Sequence, residues 1–270
     1  MKKYIKIILM NKNMEIRVFL FYIISFLIIM YGYKVDGIEI VIARYRENLE
    51  WTNNDLYRSY KITCYNKGGI GYEIDRSKYR NIDKIIELEN YGNSENTYMR
   101  HIIDNYDNLS NITIFMNGES PITKTRKTII TFLTTLMTRR TTFYCSKYDM
   151  NINKCLYDFT IKYYKHMGKS NRNKDNYYLK RASISPFGKW YNYVFGNDKD
   201  IRHINYQGVF SVERRHIIQH SREYYEKING YIDKDINPET CHYVERAMTT
   251  IFYPYDIKTS VYDFYEEYED

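Results

Sequence analysis

The middle of the chain alternates between short apolar runs and segments with helical spacing. Ile38–Arg44 is a nearly continuous apolar run that ends in polar residues, which is the pattern of a strand buried in a parallel sheet. Lys61–Tyr65 is a second apolar run, and it ends in the turn Asn66-Lys67-Gly68-Gly69. A short helix is predicted between them, ending at Tyr60. The pattern therefore begins as strand, helix, strand.

The stretch Ile85–Gly118 has the clearest pattern in the sequence. An apolar start at Ile85 is interrupted at Tyr91-Gly92-Asn93-Ser94. Apolar positions three and four residues apart then predict a helix: Tyr98, Met99, Ile102, Ile103 and Tyr106. Ile112–Met116 predicts a further strand, closed by Asn117-Gly118. This stretch is therefore interpreted as strand, loop, helix, strand.

Further elements are predicted in the second half of the chain. These are helices over residues 123–138, 151–166, 211–229 and 239–252, and a short strand over residues 208–212. Strands that alternate with helices favour a parallel sheet with right-handed crossovers. We therefore predict an α/β fold: a single domain over residues 34–253 with a mostly parallel sheet flanked by helices. Residues 254–270 are predicted to be an acidic, tyrosine-rich tail.

The N-terminal region contains a candidate membrane segment. Residues 18–33 carry no charge and follow a basic segment, residues 1–17. The length of the apolar segment falls between the core of a signal peptide and a full membrane span. An uncleaved signal-anchor is the favoured interpretation, and a cleaved signal peptide and a buried core helix are the alternatives. The excess of Lys and Arg before the segment predicts a cytoplasmic N-terminus and a lumenal or extracellular domain.

The distribution of charge argues against a nucleic-acid partner. The formal net charge is +7, but five basic residues and one acidic residue precede the apolar segment. A nucleic-acid-binding protein concentrates its basic charge on the folded domain. The 32 tyrosines accompany many Asn, Ile and Lys residues. This is the composition of an A/T-rich genome, so tyrosine abundance is not interpreted as base stacking.

Four cysteines follow the apolar segment, and they allow three pairings: Cys64, Cys145, Cys155 and Cys241. Cys145 and Cys155 are the preferred bridge because they are near neighbours in the chain. Cys64 lies in an apolar-aromatic run and is alternatively a buried thiol. No Cys-x-x-Cys spacing occurs, so a structural zinc site is not predicted.

Polar and glycine residues follow the predicted strands at the positions where a ligand is expected. Ligands of open α/β sheets bind beyond the carboxyl ends of the strands. We expect seven residues from neighbouring strand ends to converge there: Arg44, Glu47, Asn66, Asn90, Gly92, Asn117 and Gly118.

Other polar clusters are weaker candidates. His216 and His220 are four residues apart on a predicted helix, a spacing that can bind zinc, but no third ligand is evident. Residues 198–200 and 233–235 each contain two aspartates around a lysine, and both are interpreted as solvated turns. No metal-binding residue is therefore predicted.

Several short motifs occur in the order found in a known family. They are Ala43-Arg44-Tyr45 with Glu47 and Trp51, Tyr65-Asn66-Lys67-Gly68, Asn90-Tyr91-Gly92, IIDNYDNL over 102–109, Gly208 with Phe210 and Val212, and His242-Tyr243 with Glu245-Arg246. On these motifs, residues 38–253 resemble the domain of unknown function 3431, an uncharacterised family of fungal and large-DNA-virus proteins. The chain departs from the family pattern at Asn93-Ser94, where the family prefers Arg-Glu, and at Asn117, where it prefers Gln.

The strand order and the Arg-Tyr-x-Glu start of this family are similar to those of GT-A glycosyltransferases. This analogy implies a nucleotide-sugar across the strand ends, with the Arg44 guanidinium donating to its diphosphate. A DxD motif after the fourth strand usually holds a divalent metal there, because hard oxygen ligands suit such a cation. Here the position reads Met116-Asn117-Gly118-Glu119. The missing DxD argues against a divalent metal, and no cofactor is predicted.

Glu245 is the candidate catalytic base. Val244, Ala247 and Met248 surround it in the last predicted helix. A partly buried carboxylate can take the proton from an acceptor hydroxyl. The alternative is a structural ion pair with Arg246, and both interpretations stay open.

The sequence favours a membrane-anchored, glycosyltransferase-like protein whose partners are the membrane, a nucleotide-sugar and a glycan. The alternative is a catalytically silent anchored protein that serves in binding or as a viral envelope component. A soluble cytosolic enzyme is the third interpretation.

Overall fold

The computed structural model describes residues 36–147, 156–161, 179–196 and 203–263. These residues form two compact units that interleave along the chain. The first unit comprises the chain up to Leu88, Ser110–Tyr144 and Val209–Arg214. The second comprises Glu89–Leu109, Cys145–Gly208 and the chain from Arg215 onward.

Several predictions concern residues outside these ranges. Residues 1–17, the predicted membrane segment 18–33, Cys155 and most of the helix predicted over 151–166 lie outside the described residues. The same holds for the acidic turn at 198–200. Within the described ranges, the helices are all too short or too polar to span a membrane.

The strands of the described residues are numbered in chain order. They are β1 (Ile38–Arg44), β2 (Lys61–Asn66), β3 (Lys84–Glu87), β4 (Ile112–Asn117), β5 (Thr142–Lys147), β6 (His203–Ile204), β7 (Phe210–Glu213) and β8 (Val261–Asp263). The helices are α1 (Asn93–Asp104), α2 (Ser120–Thr123), α3 (Thr125–Thr138), α4 (Phe187–Phe195), α5 (Arg214–Ile217), α6 (Arg222–Asn229), α7 (Glu239–Ile251) and α8 (Ile257–Ser260).

Six strands lie side by side in the order β3-β2-β1-β4-β7-β5, of which β5 belongs to the first unit only up to Tyr144. β1 pairs in parallel with β2 and β4, and β2 pairs in parallel with β3. β7 is antiparallel to both β4 and β5, so β5 runs in the same direction as β4. The predicted α/β class, a sheet flanked by helices, is confirmed, and the sheet is mixed because β7 pairs antiparallel with both of its neighbours. The end of the sheet where β1–β4 finish is called the carboxyl end, and the end where they start is called the amino end.

One hydrophobic cluster of the first unit lies on one face of this sheet. Alternate residues of β1, β2 and β4 are buried there: Ile38, Ile40, Ile42, Ile62, Cys64, Ile112, Ile114 and Met116. Phe132 of α3 belongs to the same cluster and meets the rings of Tyr57 and Tyr60 edge-on. Burial raises the pKa of the Cys64 thiol to about 12. Cys64 is therefore a neutral thiol in the core, which is one of the two roles that the sequence left open for it.

Glu39 is buried at the amino end of the sheet. Lys61 Nζ and Ser110 Oγ each donate to its Oε2 at 2.9 Å. Thr63 Oγ1 donates to its Oε1 at 2.7 Å. The Glu39 side chain is only 2% exposed, whereas that of Lys61 is 54% exposed. Because both carboxylate oxygens are hydrogen-bonded, the fold tolerates a buried charge here.

The second unit is held by helix packing and by an aromatic cluster. α1 packs against α6 and α7, and Asn96 Nδ2 of α1 donates to Asn229 Oδ1 of α6 at 2.9 Å. Aromatic side chains fill the space around α4 and α7: Phe159, Phe187, Trp190, Tyr191, Phe195, Tyr231 and Tyr243. The buried carboxylate of Glu239 accepts the N–H groups of Ile161 at 2.7 Å and Ala182 at 3.1 Å. It thereby fixes two loops to the start of α7.

The structure corrects some of the predicted elements. β1–β4, α1 and α7 occur where they were expected, with small differences at their ends. The single helix predicted over 211–229 is wrong, because residues 210–213 form β7 and the remainder divides into α5 and α6. Ser221 has an extended backbone that begins α6 and prevents one continuous helix. The helix predicted before Tyr60 is two short 3-10 turns, and β5 and α4 were not predicted.

Candidate functional site

Polar residues of neighbouring strands lie side by side at the carboxyl end of the first unit. In the strand register, Arg44 is opposite Asn66 and Asn66 is opposite Glu87. On the other side of β1, Ala43 is opposite Asn117. The loops after β1, β2 and β4 therefore leave the sheet at the same level. The structure thus brings together those predicted site residues that belong to the first unit.

Arg44 joins the loop after β1 to the loop after β2. Its side chain lies against these loops, and only 8% of the residue is exposed. Nε donates to the Glu47 carbonyl at 2.9 Å. Nη1 donates to Asn66 Oδ1 at 2.5 Å and to the Tyr72 carbonyl at 2.9 Å. A buried guanidinium requires acceptors, and these three supply them.

Asn66 extends the same network to β3. Its Nδ2 donates to Glu87 Oε2 at 2.8 Å and to the Tyr72 carbonyl at 3.1 Å. Its Oδ1 accepts from Arg44 and from the Gly68 N–H, the latter at 3.2 Å. Two donated and two accepted hydrogen bonds use the full hydrogen-bonding capacity of a side-chain amide. In this arrangement Asn66 positions Arg44 and Glu87.

Glu47 joins the loop after β1 to the loop after β4. Its Oε2 accepts the N–H groups of Tyr45 at 2.6 Å and Arg46 at 3.1 Å. A Cβ placed on Gly118 would lie 3.0 Å from the same oxygen. Trp51 Nε1 donates to the Gly118 carbonyl at 2.7 Å. Glycine at position 118 therefore permits a close approach of the two loops.

Arg46 packs between two tyrosine rings at this end. Its guanidinium carbon lies 4.7 Å from the ring centroid of Tyr45 and 3.7 Å from that of Tyr72. Its Nε also donates to the Gly68 carbonyl at 3.2 Å. A Cβ on Gly68 would lie 2.5 Å from the Tyr45 carbonyl oxygen, so this loop also requires a glycine. Cation–π packing thus adds to the hydrogen bonds that hold the loops together.

β4 ends in Asn117-Gly118-Glu119, which offers one amide and one carboxylate. Asn117 is half-buried, and its N–H donates to Ser120 Oγ at 3.0 Å, while Glu119 is exposed. The described residues contain no group of three or more His, Cys, Asp or Glu that could hold a metal ion. The donor set at this position does not fit the paired carboxylates of a DxD metal site.

Asn90 and Gly92 belong to the second unit. Asn90 lies in a bend shortly before α1. Gly92 has a φ of +62°, and its N–H donates to the Asp235 carbonyl at 2.9 Å. A Cβ on Gly92 would lie 2.2 Å from the Ile232 carbonyl oxygen, so glycine is required by close packing within this unit. The remaining predicted residues lie together in the first unit: Arg44, Glu47, Asn66, Asn117 and Gly118.

Glu245 lies on α7 in the second unit, beside Arg246. Its Oε2 is 3.8 Å from Arg246 Nη1, and the two side chains are 21% and 13% exposed. Arg246 Nη1 also donates to the His242 carbonyl at 2.8 Å. The Arg246 guanidinium carbon lies 3.8 Å from the ring centroid of Phe159. The ion pair with Arg246 is present but long, and the role of Glu245 as a base stays a prediction.

His216 and His220 do not share a helix. His216 lies in α5, and His220 follows it in a turn. The Nε2 atom of His220 is 2.9 Å from the Tyr253 carbonyl oxygen, and its ring stacks on Tyr224 at 4.4 Å. The helical spacing that suggested a zinc pair is therefore not formed.

Three residues of the carboxyl-end network were not predicted: Arg46, Tyr72 and Glu87. Glu87 ends β3 as Asn66 ends β2, so the rule that selected Asn66 also applies to it. Tyr72 contributes its backbone carbonyl, which accepts hydrogen bonds from Arg44 and Asn66. Every residue has such a carbonyl, so the amino-acid type at this position cannot predict the contact. Arg46 lies two residues after the end of β1, and the spacing of residues along the chain does not reveal that its side chain packs between two tyrosine rings.

Residues 40–256, the greater part of the chain, match the model of a family described as "Protein of unknown function (DUF3431)". No curated protein and no solved structure matches the chain significantly. The likeness to GT-A transferases therefore stays a prediction from the sequence.

Proposed function

The chain belongs to the DUF3431 family, and we propose that it is a membrane-anchored, glycosyltransferase-like protein that takes a sugar from a nucleotide-sugar. The donor binds at the carboxyl end of β1, β2 and β4 in the first unit. The observation that carries the proposal is the change in the direction of the strand connections beside β1.

β1 lies between β2 and β4 in the sheet. The chain leaves β1 toward β2 on one side, and it leaves β4 toward β5 on the other. Where such connections diverge in an open α/β sheet, a crevice forms at the carboxyl ends, and ligands bind there. In this sheet the loops that follow β1 and β4 carry Glu47 and Asn117-Gly118 at that position.

The groups at this position suit a diphosphate joined to a sugar. Arg44 uses Nε and Nη1 within the chain, and its Nη2 makes no hydrogen bond with the described residues. That nitrogen is a charged donor for a diphosphate oxygen. The amide of Asn117 can donate to and accept from sugar hydroxyls. Since the DxD carboxylates are missing, transfer proceeds without a standard DxD metal site.

The remaining parts of the proposal follow from the predicted signal-anchor and from Glu245. Residues 18–33 hold the chain in the membrane with its N-terminus in the cytoplasm, so both units are lumenal or extracellular. Glu245, in the second unit, stays the predicted carboxylate for taking a proton from a hydroxyl. The acceptor is a glycan or another hydroxylated molecule.

Thermal melting of the full chain in detergent tests donor binding. We expect one member of a nucleotide-sugar panel to raise the Tm, equally with and without Mn²⁺, because a bound ligand stabilises the folded state. Asn117→Ala should remove this shift. Asn111→Ala is the matched control, since Asn111 is an exposed asparagine at the opposite end of β4. If no nucleotide-sugar changes the wild-type Tm, either with or without Mn²⁺, the proposal that the protein is an enzyme loses its main support.

A second candidate function is favoured by the many intrachain hydrogen bonds at the same end. The amide of Asn66 is fully used within the chain, and Arg44 is largely used. Such a network also suits a catalytically silent, anchored binding protein of the viral envelope type. In that case soluble glycans would raise the Tm while no nucleotide-sugar does, and no sugar would be transferred.

A further inference from the structure

We propose that the loop between α6 and α7 binds a calcium ion through Asp233, Asp235 and Asn237. The sequence alone indicates a solvated turn at residues 233–235, but the burial of this loop does not fit that interpretation. The loop lies in the second unit, whereas the proposed donor site lies in the first. The inference therefore does not depend on any nucleotide-sugar.

The exposure of the loop residues alternates along the chain. Lys234 and Ile236 are exposed. Asp233 and Asp235 are half-buried, and Asn237 is only 1% exposed. This alternation is that of a chain whose successive side chains point to opposite sides. The two carboxylates and the amide thus share the inward side of the loop.

Polar atoms on this inward side are buried and lack hydrogen-bond partners. They are Asp233 Oδ1, Asn237 Oδ1 and Asn237 Nδ2. Neither Asp233 nor Asp235 forms an ion pair with a basic residue in the part of the chain that the structure describes. A carboxylate oxygen that has left water without gaining a donor or a cation costs free energy. A bound cation would offset that cost.

The chemistry of these side chains suits calcium. Ca²⁺ binds oxygen ligands at about 2.3–2.6 Å, in a flexible geometry that combines carboxylates, amides and water. Residues two apart in a chain have Cα atoms at most about 7 Å apart, so three such side chains can reach one ion. Two carboxylates also match the two charges of the ion. Mg²⁺ demands near-ideal octahedral geometry, which a single short loop supplies less readily.

The spacing is that of the first three side-chain ligands in an EF-hand loop, at positions 1, 3 and 5. The remainder of the loop does not follow that motif, because Pro238 stands where an EF-hand has glycine. Water at the half-exposed aspartates completes the coordination.

Glu239 continues the alternation but is not a ligand. Its carboxylate already accepts the N–H groups of Ile161 and Ala182, and it lies 3.4 Å from Arg181 Nη1. The proposed site therefore has two carboxylates and one amide oxygen. It is thus compatible with the lack of any three-membered His, Cys, Asp or Glu group among the described residues.

The backbone of the same loop is fixed by hydrogen bonds that leave its side chains available. The Asp235 carbonyl accepts the Gly92 N–H at 2.9 Å, directly before α1. The Asn237 carbonyl accepts the Lys180 N–H at 3.0 Å. The loop thus joins separate segments of the second unit, and an ion held by its side chains would stabilise that unit.

Calorimetric titration and thermal melting of the full chain in detergent test the site. The chain is first treated with EDTA and then receives CaCl₂ or MgCl₂, without any nucleotide-sugar. We expect one Ca²⁺ to bind and to raise the Tm, because a ligand of the folded state stabilises it. Mg²⁺ should bind at least about tenfold more weakly.

Substitutions of the ligands should change the calcium affinity in opposite directions. Asp233→Asn and Asp235→Asn should each weaken binding about tenfold, because each removes one ligand charge. Asn237→Asp should tighten binding. It should also lower the Tm in EDTA, where the added charge is buried without a partner, and CaCl₂ should restore it. Asp158→Asn is the matched control at an exposed aspartate of the same unit, and it should leave the affinity unchanged.

A wild-type chain that binds no Ca²⁺ would overturn the site. The same conclusion follows if Asp158→Asn weakens binding as much as Asp233→Asn does. Equal affinities for Ca²⁺ and Mg²⁺ would overturn the choice of calcium. If the aspartate variants do not fold, Asn237→Asp decides: a Tm that CaCl₂ raises no more than in the wild type contradicts the proposal. The nucleotide-sugar panel is a separate measurement, so either proposal can fail alone.

Discussion

The two ends of β1 bury opposite charges and satisfy them with different kinds of partner. At the amino end, the carboxylate of Glu39 accepts hydrogen bonds from the side chains of Lys61, Thr63 and Ser110. At the carboxyl end, the guanidinium of Arg44 donates to two backbone carbonyls and to the side chain of Asn66. Both charges lie in the same strand, seven residues long.

The difference lies in what each charge holds in place. Two of the Glu39 partners are on β2, so their positions follow from strand pairing alone. Two of the Arg44 acceptors are carbonyls in loops, which strand pairing does not fix. Arg44 therefore determines the shape of the loops around the candidate site, whereas Glu39 mainly secures the sheet. Substitutions at the two ends should separate these roles.

The largest effect is expected from Arg44→Met. The change removes three hydrogen bonds of a buried guanidinium and leaves the Glu47 carbonyl without this donor, while the Tyr72 carbonyl and Asn66 Oδ1 each keep one weaker donor. We therefore expect a loss of about 3 kcal/mol in unfolding free energy. Urea denaturation of the full chain measures it. Arg46→Met is the control at the same end, with an expected loss of about 1 kcal/mol from its cation–π packing. Equal losses in the two variants would show that Arg44 has no special place in the network.

A smaller effect is expected from Glu39→Gln. The amide keeps an acceptor for Thr63 but loses the charge-assisted bonds, so the expected loss is about 1–2 kcal/mol by the same measurement. Lys61 is 54% exposed and can turn to water, which limits the cost. The donor-induced Tm shift should survive this change, because Glu39 is at the far end of the strand. Loss of that shift would contradict the separation of the two ends.

The smallest effect is expected from Lys61→Met. Thr63 and Ser110 still hydrogen-bond both oxygens of Glu39, and the half-exposed lysine is well screened. We expect a loss of about 0.5 kcal/mol that decreases further with added salt. A loss as large as that of Glu39→Gln would mean that the lysine charge, rather than the hydroxyls, compensates the buried carboxylate.

The sequence predicts the parallel part of the sheet well because its strands carry a strong signal. Ile38–Arg44 is apolar almost throughout, since both faces of β1 are covered, and the prediction matches the strand. β5 was missed because Thr142–Lys147 mixes hydroxyl, aromatic and charged residues. It contains neither a continuous apolar run nor a regular alternation of apolar and polar positions. The helix over 211–229 was mispredicted because Val212, Ile217, Tyr224 and Ile228 fit helical spacing, although the first of them lies in β7.

The candidate site was predictable as a position but not as a set of contacts. Parallel strands place their ends together, so Arg44, Asn66 and Asn117 could be selected from the sequence. Their spacing does not reveal that Arg44 turns toward the loops, or that Tyr72 receives its hydrogen bond through a carbonyl. Asn90 and Gly92 were grouped with them because they follow β3. The chain enters the second unit directly after β3, at Glu89, and sequence pattern gives no sign of this boundary.

The place of β7 in the sheet has a consequence for how the protein is made. β7 lies between β4 and β5, although both of these strands precede it in the chain. A ribosome must add the residues between Lys147 and Phe210 before the middle of the sheet can close. At about 5–20 residues per second, that interval lasts roughly 3–13 s. During this time β4 and β5 each lack a neighbour in the nascent chain, which exposes apolar strand edges to wrong partners. Assistance from a chaperone is therefore most valuable in that interval, before translation passes Glu213.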